Sequence, residues 1–442
     1  MLSLDKIFKL ADHQTNVKTE ILAGLTTFLA TMYIIIVNPS IIQKTGMPFN
    51  GILTATVMVS ALSSLAMGIY ANNPIVIAPG MGLNAFFTFS VVLGMNTPWP
   101  VALGAVFWSG IVFLLLSVFN IRTLIVSAIP KQLRFAISGG IGLFITFIGF
   151  ANAGFVVANP ATIIGSGPLN AITVTFLAGL AVTGILVVFR IRGALIMGII
   201  LTTIAAIPIG RWWGNASAVN FGLQTLVTWQ GLFSMPDFSL IFSLDLIGSL
   251  KLAIVPVIFS FLFTDMFDSL STLVGVAEAG NIKDKTGEPR NIKESLIVDS
   301  LSTAISGILG SSSGTCYIES ATGIEQGGRT GLTAVTAGLL FIPFMFMSPL
   351  LSMIPSIATS PALVLVGVFM MRPISGITWD ELDNAIPAFL ALILIPLTYS
   401  ITQGIIWGFL SWTIIKLVIG KKHDVSPTLL VIDFFAILAL IN

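Results

Sequence analysis

Two carboxylates, Asp265 and Asp268, stand three residues apart in Phe263-Thr-Asp-Met-Phe-Asp-Ser269, inside an apolar run from about Lys251 to Val276. That spacing puts both on one face of a helix. A carboxylate at the centre of a membrane helix costs roughly 2.5–3.5 kcal/mol on insertion scales. Such a residue turns to protein or water, and marks a substrate, ion or proton site. Glu319 lies in a second such region, Gly310-Ser-Ser-Ser-Gly-Thr-Cys-Tyr-Ile-Glu-Ser320, where its plain alternative is to cap the half-helix that follows. Asn84, in Pro79-Gly-Met-Gly-Leu-Asn84, reads equally as an N-cap and as a ligand contact. Together these side chains offer acceptors, an amide and exchangeable protons: the chemistry of recognising a small polar molecule and moving a proton with it. The remaining candidates read as structural. Phe86, Phe87, Phe259, Phe261 and Phe263 are expected to pack or face lipid, His13 and His423 to be solvated, and Asp299, Asp380 and Asp383 to lie near span ends.

The elements that must position these groups are membrane helices. Of 442 residues, 55% are hydrophobic and 9% charged, against about 25% charged in a soluble domain. Cys316 is the only cysteine, so no intrachain disulfide is expected. Residues 1–19 carry Asp5, Lys6, Lys9 and Lys18 and no apolar core, so no cleavable signal is expected, and residues 2–10 read as a short amphipathic surface helix. The net charge of +1, with no basic run, gives no sign of nucleic-acid binding.

Apolar stretches long enough to span occur near 20–37, 52–70, 100–118, 134–152, 170–189, 193–209, 250–275, 293–309, 331–348, 357–371 and 401–419. Three more, 75–94, 311–327 and 384–397, are short or broken by Pro79-Gly80, Gly314-Thr315 and Pro387 with Pro396. Broken helices are tolerated in a membrane where the irregular backbone is buried or lines a cavity. Fourteen crossings result. With the N-terminus in the cytoplasm, seventeen of the twenty Lys and Arg residues fall inside, and only Lys44, Arg211 and Lys251 outside. The C-terminus is then also cytoplasmic, and 427–441 is expected to be a short interfacial or docked helix.

The least apolar stretch, 211–248, holds Trp212, Trp213 and Trp229 and reads as an extracellular or periplasmic linker between residues 1–210 and 249–442. Seven crossings precede it and seven follow, and an odd number per half inverts the second half, as in an inverted repeat. Leu62-Ser-Ser-Leu-Ala-Met-Gly-Ile69 is similar to Leu301-Ser-Thr-Ala-Ile-Ser-Gly-Ile308, and each leads into a broken segment. In the first, Ile75–Ala78 reads as extended before Pro79, with a half-helix from about Asn84. The pair would aim two helix N-termini at mid-membrane. The fold class expected is an all-α polytopic membrane protein of 7+7 inverted repeats with two strand-broken half-helices.

Three motifs, Ala78-Pro-Gly-Met-Gly-Leu-Asn-Ala-Phe-Phe87, Phe263–Ser269 and Tyr317-Ile-Glu-Ser-Ala-Thr-Gly-Ile-Glu-Gln-Gly-Gly-Arg-Thr-Gly331, closely resemble the AzgA-like purine permeases, a branch of the nucleobase–cation symporter-2 (nucleobase–ascorbate transporter) family. The resemblance runs over about residues 5–420. It implies a fold like that of the uracil permease UraA, with crossings 1–4 and 8–11 as a core and crossings 5–7 and 12–14 as a gate. It also implies proton-coupled uptake of adenine, guanine or hypoxanthine across the cell membrane. It makes Asp265 and Glu319 the principal base-binding acids, Asn84 a binding residue and Asp268 a functional neighbour. Backbone N–H groups near Gly82 and Tyr317 would complement the base. Glu319 or Asp268 would carry the coupling proton while Asp265 anchors the base, and a proton on Asp265 itself stays open. No metal or other cofactor is expected beyond the proton. The partners are a purine nucleobase and the bilayer, with a homodimer allowed. Two rival readings are an anion carrier of the same architecture, disfavoured by its paired carboxylates, and an intramembrane prenyltransferase using Asp265-x-x-Asp268, for which no second aspartate-rich helix is present.

Overall fold

In the computed structural model, residues 4–119, 130–217, 223–284 and 289–441 are described; Arg122 and Lys285, counted above on the cytoplasmic side, lie outside them. A short helix, Leu4–Phe8, precedes α1 (Val17–Thr31), α2 (Ile34–Ile42) and α3 (Phe49–Ala66). The strand β1 (Ile77–Pro79) leads into α4 (Met81–Ala85), which continues through wider π-type turns over Phe86–Gly94. Then come α5 (Trp99–Val118), α6 (Lys131–Asn152), a hairpin of β2 (Val156–Asn159) and β3 (Ile163–Ser166), α7 (Ala171–Val188) and α8 (Ala194–Ala206). The second half runs α9 (Val255–Gly280), α10 (Ile292–Leu309), β4 (Gly314–Cys316), α11 (Ala321–Glu325), α12 (Gly331–Phe341), α13 (Ser356–Met370), α14 (Leu382–Thr398), α15 (Ile401–Val418) and α16 (Pro427–Ile441).

Among the described residues, eight helices are long and apolar enough to cross a membrane, and four shorter apolar ones accompany them. Every stretch read from the sequence as a crossing contains a helix. The β2–β3 hairpin departs from the all-helical expectation. It sits in the connection between α6 and α7, and Ile163, Ile164 and Leu169 are exposed there, so no buried face signals it in the sequence.

The helices pack as two groups. In one, α5 lies along α10, and α12 along α1 and α3; in the other, α6 lies along α13 and α14, α7 along α8, and α14 along α15. Contacts between the groups are fewer and include α4 against α6 and α9 against α15. Small polar residues let the first group close tightly around its strands. On α3, the Ser64 hydroxyl accepts from the Ile77 N–H at 3.1 Å, and Ser63 donates to Ser302 of α10 at 2.7 Å. Glu20, fully buried on α1, accepts from the N–H groups of Arg329, Thr330 and Thr333 and from the Thr333 hydroxyl, capping α12 from a distant part of the chain.

The two breaks end their leading helices alike. Asn72 (φ 47°) closes the turns after α3, and Gly310 (φ 93°) closes α10, both left-handed as helix C-termini favour. Each is followed by three residues of strand. The tail helix α16 docks on α15, where the Thr413 hydroxyl donates to Asp433 at 2.5 Å and Leu429 is buried.

Candidate functional site

At the centre of the first group, β1 and β4 cross as an antiparallel pair, with Ile77 opposite Cys316, Ala78 opposite Thr315 and Pro79 opposite Gly314. The pairing extends one residue at each end: the Gly80 N–H donates to Ser313 O at 2.9 Å and the Tyr317 N–H to Val76 O at 3.0 Å. Two strands this short satisfy few backbone groups alone, so side chains complete them. Ser320 accepts from the Val76 N–H, and the Tyr317 hydroxyl donates to Pro79 O at 2.6 Å. Proline has no N–H to offer the ladder, and its carbonyl finds the tyrosine instead.

Tyr317 therefore stands differently from the sequence reading. Its N–H, expected to be free for a ligand, is held by Val76, and its hydroxyl by Pro79. Gly82 lies in the first turn of α4, where N–H groups have no partner within the helix. A Cβ on it would meet Ile141 Cγ2 of α6 at 2.5 Å, so Gly82 also marks a close approach between the two helix groups. The half-helix begins at Met81, three residues before the expected start, because the Gly80 carbonyl already takes the Asn84 N–H at 2.8 Å.

Asn84 is fully buried, accepts from the Ser312 hydroxyl, and leaves Nδ2 without a partner among the described residues. Asp265, on α9, is also fully buried. Its Oδ2 accepts from Thr303 of α10, whose hydroxyl also lies 3.1 Å from Gly314 O, and its Oδ1 is unpartnered among the described residues. Asp268, one turn on, is half-buried, faces Thr315 of β4, and lies within electrostatic reach of Glu319. Glu319, between β4 and α11, accepts from the Tyr33 hydroxyl at 2.7 Å. The acids of the second half thus gather at the crossing, with Asp268 beside Glu319 and Asp265 held against α10, while the first half brings Tyr33 and Asn84 to them.

Two residues escaped the sequence reading. Asp299, expected near a span end, sits mid-way along α10, fully buried and within electrostatic reach of Asp265. Its Oδ1 accepts from Cys316 Sγ at 3.6 Å, and its Oδ2 has no partner among the described residues. Asp299 and Thr303 are one turn apart, a spacing that could have signalled a common face. Tyr33 gave no signal beyond a hydroxyl in an apolar run. Phe86, Phe87 and Phe261 are fully buried and pack within the protein, Phe86 edge-on to Phe261 at 4.8 Å. His13 is not freely solvated: it is half-buried and accepts from Arg290.

A family model described as "Permease family" matches residues 18–406. The chain is 39% identical over 441 residues to the adenine permease AdeP of Escherichia coli (strain K12), covering 99% of this chain and 96% of that protein. It is 40% identical over 441 residues to the guanine/hypoxanthine permease PbuO of Bacillus subtilis (strain 168), covering 99% of each. Among solved structures, the transmembrane domain of the cyanobacterium bicarbonate transporter BicA aligns with a TM-score of 0.63 and 15% identity, over 89% of this chain and 97% of that one. These relatives are transporters, and the enzyme reading of Asp265-x-x-Asp268 is set aside. The shared fold is that of a multi-pass membrane transporter.

Proposed function

The chain belongs to the Permease family, in the nucleobase–cation symporter-2 group whose AzgA-like motifs it carries, and from that premise we propose that it imports purine nucleobases across the cytoplasmic membrane by proton-coupled symport. The two relatives described above are named for adenine and for guanine/hypoxanthine.

The observation that carries the reading is two buried polar atoms without a partner among the described residues, Asn84 Nδ2 and Asp265 Oδ1, both beside the β4 segment: Ser312 bonds Asn84, and Thr303, which lies against Gly314 O, bonds Asp265. Buried polar atoms are normally hydrogen-bonded, so these are groups a ligand can satisfy. A purine presents ring N–H donors and ring nitrogen or carbonyl acceptors. Carboxylates at Asp265 and Glu319 take the donors, and the Asn84 amide and the first-turn N–H of Gly82 meet the acceptors. Carboxylates this close in a site of low dielectric do not all carry charge together. A proton on Asp268, Glu319 or Asp265 and a base at the crossing are then linked, each favouring the other's binding.

Fourteen crossings, with both termini cytoplasmic, complete the reading. The first helix group serves as core and the second as gate, one rocking against the other around the crossing. Likeness to a bicarbonate transporter concerns the fold alone. Clustered acids repel an anion at close range, which favours the nucleobase over the anion reading.

The test is uptake of labelled hypoxanthine into proteoliposomes, with adenine, guanine, xanthine and uracil as competitors, at two pH values and with a protonophore. Purines competing, and uptake collapsing when the proton gradient is dissipated, is the expected result. Uptake of bicarbonate or sulfate with none of any purine would overturn it. Glu319→Gln is expected to blunt the pH response of uptake; a fully retained response would remove Glu319 from the proton role.

A further inference from the structure

A crevice of about 280 Å³ opens where the two helix groups meet, between Met32–Ile36 of the first group, Ile196–Ile204 on α8 of the second, and the segment Phe344–Ile354 that joins α12 to α13. Its walls are hydrocarbon and thioether, from Met32, Ile36, Ile200, Ile204, Phe344 and Leu351 among others. Thr203 is the one hydroxyl in the wall, and it is spent on Ile199 O at 2.8 Å. Water would find no hydrogen-bond partner there, and apolar cavities of this kind stay dry.

The crevice is continuous with an exposed apolar surface. Ile200 and Ile204, which form part of its wall, are 48% and 56% exposed. They lie on one of the apolar membrane helices, beside the exposed Leu201 and Ile207. Hydrocarbon reaches the opening with no polar barrier to cross.

We propose that this crevice is a binding site for one acyl chain of a bilayer phospholipid, lodged as a wedge between the two helix groups. Lipid tails are as apolar as the wall, so no hydrophobic driving force distinguishes inside from outside. Retention rests on dispersion contact with a shaped surface on several sides, against one side for an annular lipid. The proposal needs only that the chain sits in a bilayer, and it stands or falls separately from the purine reading.

The full-length protein, reconstituted with phosphatidylethanolamine and phosphatidylglycerol containing a trace of phospholipid with a diazirine on its acyl chain, is photolysed, and the adducts are mapped by mass spectrometry. The expected result is labelling concentrated on 196–204 and 344–354, lost in Ile200→Trp, which fills the crevice. It should be retained in Leu201→Trp, which adds the same bulk on the exposed neighbouring position. Should Ile200→Trp not be recovered folded, Thr203→Leu supplies the same readout. Labelling equal at both positions and indifferent to the filling substitutions would overturn the proposal. So would a disulfide formed between two copies of the chain through Ile200→Cys in the same vesicles.

Discussion

Tyr33 and Glu319 come from opposite halves of the chain, 286 positions apart, and meet in one hydrogen bond of 2.7 Å. The tyrosine is buried to 1% exposure and has no other listener for its hydroxyl than this carboxylate among the hydrogen bonds of the described residues. Hydrogen bonds to charged groups contribute about 1.5–3 kcal/mol. Tyr33→Phe keeps the ring's packing and removes the donor, so Glu319 should hold base and proton differently. Apparent purine affinity is expected to fall by about tenfold, the equivalent of about 1.4 kcal/mol, with the pH optimum of uptake displaced. Initial rates across substrate concentration and pH check this, and an unchanged pH profile would count against Glu319 as a coupling group. The legibility of this site followed charge. Asp265, Asp268 and Glu319 stood out because an acid in an apolar run demands an explanation. Asp299 did not, because Lys293, Glu294 and the serines of α10 made the helix look like a span end. Tyr33 was invisible for the opposite reason, a hydroxyl hidden among Ile and Met.

At the scale of elements, the strand crossing leaves no room for a side chain at Gly314. A Cβ on Gly314 would lie 2.1 Å from Ser302 Oγ and 3.1 Å from Val59 Cγ1, two helices that clamp the strand from either side. Gly314→Ala should therefore push β4 off its register with β1 and abolish uptake while the protein still inserts. Transport in vesicles measured against the amount of protein in the membrane tests this, and wild-type uptake would show that the crossing tolerates displacement. The breaks themselves were legible, since Pro79, Gly310 and Gly314 punctuate otherwise apolar runs. Their pairing was not, because two three-residue strands more than 230 positions apart carry no local signal of each other.

The N-terminal strap gives a pH dependence of its own. Arg290 donates to His13 Nδ1 at 3.0 Å and also to Asn72 O and Arg329 O, tying the segment before α1 to the loops of both halves. Burial first, and the Arg290 guanidinium second, hold the His13 pKa below its ordinary value of 6.5, with Asp12 and Glu20 opposing and Lys9 assisting. The folded strap thus favours the neutral ring. Its docking is at full strength above pH 6.5 and weakens as the pH falls through 6.5 and the released segment takes up a proton. Protease cleavage within residues 1–16 of the solubilised protein should rise between about pH 7.5 and about pH 5. His13→Gln, which can still accept from Arg290, should flatten that rise, and an equally steep rise in the variant would assign the effect elsewhere.

In the rocking proposed above, the two helix groups move against each other, and the seam between them names where to hold them. Lys44, just after α2, donates to Asn152 at the end of α6 and lies over the Phe89 ring at 5.4 Å. Ser90 donates to Tyr399 O, and Phe89 packs edge-on to the Tyr399 ring at 6.3 Å. Phe144 and Phe147 of α6 close on the same tyrosine at 5.3 and 5.4 Å. Lys44, Phe89 and Ser90 belong to the first group, Asn152 and Tyr399 to the second, so these contacts seal one end of the seam. The proposed alternating access requires that seal to open once per cycle, breaking the Lys44–Asn152 and Ser90–Tyr399 hydrogen bonds, worth about 0.5–3 kcal/mol each. A reversible tether makes the requirement testable. The native Cys316 is buried beside Asp299, leaving the surface free of competing thiols among the described residues. With Lys44→Cys and Asn152→Cys together, a bifunctional thiosulfonate bridging the two positions should stop uptake, and reductant should restore it. Each single variant treated alike should keep transporting. Should the bridged protein carry purine at the rate of the unbridged one, the two groups do not part at this end of the seam, and the rocking mechanism loses its outer hinge point.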